Sequence, residues 1–70
     1  MKKKFSKELT VGQRLRELRG DRPKAEVAAA VGVSESSYIK YERDERRPSD
    51  PIKKRIATYF KSNVLDIFFS

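Results

Sequence analysis

Glycine and proline punctuate this chain at Gly20, Pro23, Gly32, Pro48 and Pro51. Residues that end or interrupt helical backbone at those points forbid one long helix. The segments between them have helical rather than alternating periodicity, so the expected fold class is all-α, built from short pieces. Thr10 followed by Gln13 has the spacing of a capping box, and Val11, Leu15 and Leu18 then recur on one face of a first helix over about 11–19, closed by Gly20-Asp21. Pro23 suits the first turn of a second helix over about 23–31, with a stripe of Val27, Ala28 and Val31 and a stop at Gly32. Ser34 is placed to N-cap a third helix over about 35–43, which carries Tyr38 and Tyr41 on one face. Residues 44–50 are polar and read as a loop. Ser49 or Asp50 caps a fourth helix with Pro51 in its first turn, and Ile52, Ile56, Tyr59 and Phe60 form its apolar stripe. Asn63 with Asp66 resembles a second capping box, opening a short apolar fifth helix of Val64, Leu65, Ile67, Phe68 and Phe69.

Seventy residues allow one domain with a small core, here residues 10–70 behind a basic N-terminal arm at 1–9. The chain has neither Cys nor His, which removes disulfides, the usual zinc ligands, the thiol nucleophile and the commonest general base. No metal, cofactor or small-molecule ligand is indicated, and an enzyme is the least expected class. The lysines at 2–4 are not followed by an apolar stretch, and no run is long enough to span a membrane, so a cytoplasmic protein is expected. The net charge is +7. It is concentrated in the arm and in residues 43–55, on either side of a nearly neutral 24–42. That distribution fits a molecule that grips phosphates at its flanks and reads base edges between them.

The informative stretch runs from Lys24 to Glu42, KAEVAAAVGVSESSYIKYE. Two helices that cross closely need a small residue at the crossing, supplied by Ala28. The turn between them needs a residue that accepts positive φ, supplied by Gly32, and an apolar plug, supplied by Val33. Val27, Val31, Tyr38 and Tyr41 fill the inner faces. Each feature is common in helical proteins; the joint spacing is much less so. With RLRELRGD (14–21), EVAAAVGVS (26–34), SSYIKYE (36–42), RRPS (46–49) and Asn63-Val64-Leu65-Asp66, the chain resembles the Cro/C1-type, xenobiotic-response-element family of helix-turn-helix regulators. The resemblance implies a five-helix, lambda-repressor-like domain that binds double-stranded operator DNA as a dimer, and a repressor is the expected regulator. It also implies contact between Arg19 and Glu42, a structural pair rather than DNA readers. The chain departs from the family at Lys24, where Gln is frequent, and at Arg43-Asp44, where Asn-Gly is frequent.

In that frame the third helix enters the major groove. Glu35, Ser36, Ile39 and Lys40 are the candidate base contacts, with Lys40 suited to guanine and Glu35 to a cytosine amino group. Lys24, Ser34, Arg43, Arg46 and Arg47 are the candidate phosphate contacts; Ser34 reads first as a helix cap, and the arginines also fit an ordinary solvated loop. The arm either follows phosphates or aids solubility. In the fifth helix Leu65 and Phe68 are expected to face the core. Val64, Ile67 and Phe69 are then left either as a lid or as the surface of a weak homodimer with a palindromic site. The main alternative is a DNA-binding antitoxin or protein-interaction module of the same fold, using Phe68 and Phe69. An RNA-binding module would display its aromatics, and a membrane-surface peptide would need one unbroken basic helix.

Overall fold

A computed structural model of the chain describes residues 9–69, so the expected arm, apart from Leu9, lies outside the described residues. Five helices follow in order: α1 (Val11–Arg19), α2 (Lys24–Val31), α3 (Glu35–Glu42), α4 (Asp50–Tyr59) and α5 (Val64–Phe68), with no strand among the described residues. Their starts follow from local chemistry. Thr10 Oγ1 accepts the Gln13 N–H at 3.1 Å while Gln13 Oε1 accepts the Thr10 N–H at 2.8 Å, completing the capping box. Asn63 Oδ1 accepts the Asp66 N–H at 2.8 Å and starts α5. Pro23 takes the N-cap position in extended backbone, so α2 begins one residue later than expected; Ser49 occupies the same position before α4.

Three helices stop in the same way. At the end of α2 the Val33 N–H returns to the Ala28 carbonyl and the Gly32 N–H to that of Ala29, with Gly32 left-handed at φ 81°. This satisfies carbonyls that a helix end leaves open. At the end of α3 the bonds are Glu45 to Lys40 and Asp44 to Tyr41, with Asp44 at φ 60°. At the end of α4 they are Ser62 to Ala57 and Lys61 to Thr58, with Lys61 at φ 55°. Only the first uses glycine.

The core gathers Leu15, Val27, Ala28, Val31, Tyr38, Tyr41, Ile56, Ala57 and Ile67, one or more from every helix. α3 packs against α1 and α2, α2 also meets α4, and α5 closes the base against α1 and α4. Two polar residues, Arg14 and Glu42, join this interior. Arg14 is buried in α1 and its Nη1 donates to the Ile67 carbonyl at 2.9 Å, tying α1 to α5. Gly12 lets α1 touch the end of α3, since a Cβ there would strike the Glu42 carbonyl.

The expected orientation of α5 is corrected. Ile67 is fully buried, whereas Leu65 is 69% exposed. Val64 is partly buried against the core beside Ile67, and Phe68 is partly buried as well. Val64 and Ile67, three apart, share a face; Leu65 lies about 200° around the helix from Ile67. The Asn63 cap and the bond from Arg14 to Ile67 turn the first pair inward. Ile67 is therefore unavailable to a neighbour, and Phe69, 63% exposed, keeps its outward position beside Leu65.

Candidate nucleic-acid interface

α2, the turn at Gly32-Val33 and α3 form one rigid unit. Ala28 is buried where the helices meet, and Val33 packs against the core from the turn. Tyr38 and Tyr41 fix α3 from within, their rings edge to face with centroids 6.4 Å apart. The far end of α3 is held by a bidentate pair: Arg19 Nε donates to Glu42 Oε2 at 2.7 Å and Nη2 to Oε1 at 3.1 Å. Arg19 Nη1 also donates to the Arg22 carbonyl at 2.9 Å, so the same guanidinium ties down the link between α1 and α2. The pair matters because a carboxylate in the last turn of a helix is opposed by the helix dipole. Its hydrogen bond to Glu42 holds the Arg19 guanidinium above its ordinary ionisation range, against the opposing pull of burial. The Tyr38 hydroxyl lies by the same carboxylate without a hydrogen bond of good geometry. Burial first, and the Glu42 carboxylate second, push its ionisation above the usual phenol range.

With its inner face occupied, α3 presents the opposite side outward. Glu35 and Ser36 are exposed, and Ile39 and Lys40 are half-buried at the margins. Lys24 opens α2 and is half-buried. Arg43 sits at the C-cap of α3, and Arg46 and Arg47 are exposed on the loop that follows, anchored by a buried Pro48. Ser34 is spent locally: its Oγ accepts the Ser37 N–H at 3.0 Å and lies 3.0 Å from Ser37 Oγ. Ser37 Oγ in turn accepts from Arg46 Nη1 at 3.3 Å. The loop cation is thus drawn back onto the first turn of α3, a role for Ser37 that spacing alone does not disclose. Spacing does not disclose the place of Arg55 either. Its guanidinium lies over the turn, where a Cβ on Gly32 would come within 2.7 Å of Nη1. The only sequence signal was its place in the basic run 53–55. Arg22 is committed elsewhere, 5.3 Å from the Tyr59 ring centroid and 5.8 Å from that of Phe60.

The helix-turn-helix family profile matches residues 13–67, spanning all five helices. The chain belongs to the Cro/C1-type helix-turn-helix family. Among solved structures, the P22 c2 repressor in complex with a synthetic operator superposes with a TM-score of 0.84 at 21% identity, covering 87% of this chain and 96% of that one. The restriction-modification controller protein C.AhdI from Aeromonas hydrophila gives 0.75 at 30% identity, covering 83% and 91%. No curated protein sequence matches the chain. In this helix-turn-helix protein α2 and α3 are the two helices of the motif. Among the described residues, no cluster of acidic side chains is arranged to hold a metal ion, and no helix is long and apolar enough to cross a membrane.

Proposed function

We propose that this chain is a sequence-specific double-stranded DNA-binding transcription repressor that inserts α3 into the major groove. The observation that carries this reading is the division of α3 into two sides. Tyr38, Tyr41 and the Arg19–Glu42 pair lock one, and the other leaves Glu35 and Ser36 free in water with Ile39 and Lys40 beside them. A helix held this firmly meets base edges without a further ordering penalty. Lys40 reads guanine, Glu35 a cytosine amino group, and Ser36 either kind of partner. Lys24, Arg43, Arg46 and Arg47 hold phosphates on either side, with Ser34 near the backbone but engaged as a cap. The P22 c2 repressor, of the same fold, is seen with operator DNA, and C.AhdI is a controller protein.

One helix-turn-helix reads too few base pairs to stand out in a genome. Two copies about a two-fold axis, meeting through the exposed Leu65 and Phe69, supply the rest. The patch is small, so the dimer forms mainly on DNA. Selection from a pool of random duplexes tests the reading: it should return a consensus of two inverted half-sites about one helical turn apart. A pool that remains unenriched would overturn it.

A further inference from the structure

A cavity of about 340 Å³ opens between the start of α1, the loop after α3, the first turn of α4 and the end of α5. Its size lies at the lower end of the range for small-molecule sites. Tyr41, Phe68 and Phe69 supply aromatic wall; Arg46, Arg47 and Lys53 supply positive charge. The single acidic lining residue among the described residues, Asp44, is already engaged, its Oδ1 accepting the Gly12 N–H at 2.9 Å. Lys53 is the telling group. Its side chain is only 16% exposed, with Nζ 4.8 Å from the Phe69 ring centroid and 5.7 Å from that of Phe68. Its carboxylate partner Asp50 stands off at 3.6 Å and is 89% exposed, so water screens that attraction. A lysine with a largely buried side chain, its ammonium over two rings and its counter-ion weak, favours an anion that brings its own apolar surface.

We propose that this cavity binds a small aromatic carboxylate, its ring against Phe68 and Phe69 and its acid group toward Lys53, Arg46 and Arg47. Arg46 links the site to the reading helix, because the same guanidinium donates to Ser37 on α3. An occupied cavity draws Arg46 and Arg47 toward the ligand and away from phosphate, so it weakens DNA binding. This consequence, unlike the binding itself, rests on the function proposed above.

Titration of the DNA-free protein with phenylacetate, followed by amide chemical shifts, tests the site directly, with 2-phenylethanol as the neutral counterpart. The expected shifts are confined to the cavity walls. Phenylacetate should bind about tenfold more tightly than the alcohol, as one partly screened charge contact provides. Lys53→Met should remove that advantage and Lys53→Arg restore it, with thermal melts confirming that both variants fold. Shifts scattered over the surface, or equal affinity for acid and alcohol, would overturn the proposal. Phenylacetate should also compete with duplex DNA. If it fills the cavity without lowering DNA affinity, the ligand site stands and the phosphate roles of Arg46 and Arg47 fall.

Discussion

Asp44 and Lys61 hold the same left-handed backbone, but their surroundings differ, and substitution should separate them. A non-glycine residue there is strained by roughly 1–2 kcal/mol. At Asp44 the carboxylate offsets this by accepting the Gly12 N–H, an otherwise open donor at the start of α1. Lys61 is exposed, and no such bond offsets its strain. Lys61→Gly should therefore raise stability by about 0.5–1 kcal/mol, the relieved strain less glycine's added unfolded-state entropy. Asp44→Gly should give no gain; thermal melts of the two variants check both. The left-handed turn at Asp44 was illegible in sequence because its compensation comes from a residue 32 positions away. Burial of Arg14 was hidden for the same reason, its acceptor lying 53 residues on. Tyr38 offers a pH test. Its folded-state ionisation is raised, so the stability it contributes is complete below the unfolded phenol's pKa of about 10 and is lost as pH rises beyond it. Tyr38→Phe should make the alkaline fall in unfolding free energy shallower by up to about 1.4 kcal/mol per pH unit; an unchanged slope would place the phenol in water.

At the scale of elements, helix starts were legible wherever a cap is local, as with Thr10 and Gln13, Ser34, or Asn63 and Asp66. The orientation of α5 was not. Five residues make less than one and a half turns, so periodicity pairs Val64 with Ile67 without saying which pair goes inward. The motif itself was legible because Ala28, Gly32, Val33 and the two tyrosines meet steric demands at fixed spacing. The far end of α3 is held by the Arg19–Glu42 pair. Glu42→Ala should remove about 3 kcal/mol, the low end for a buried pair because Arg19 retains an edge in water. That is a large share of a small domain's stability, so the melting temperature should drop sharply. In the fraction that stays folded, base preference should be little changed. An unaltered melt would mean that the pair is worth no more than a surface ion pair.

For the whole molecule, the uneven charge and the two-sided α3 both support the proposed arrangement, in which phosphates are gripped at the flanks and bases are read between them. The proposed assembly can be tested apart from folding at Leu65, which is outside the core. Leu65→Asp should leave the helical circular dichroism intact and abolish cooperative filling of paired half-sites; cooperativity that survives would move the dimer surface elsewhere. The most direct test compares wild type, Lys40→Ala and Lys24→Ala on duplexes carrying every single-base change in the selected site, at several salt concentrations. Lys40→Ala should lose about 1–3 kcal/mol of discrimination at one base position, with little effect on nonspecific binding. Lys24→Ala should weaken all duplexes alike and make the log–log salt slope shallower by about 0.9. A uniform loss from Lys40→Ala, with discrimination intact at every position, would contradict the assignment of α3 as the reading helix.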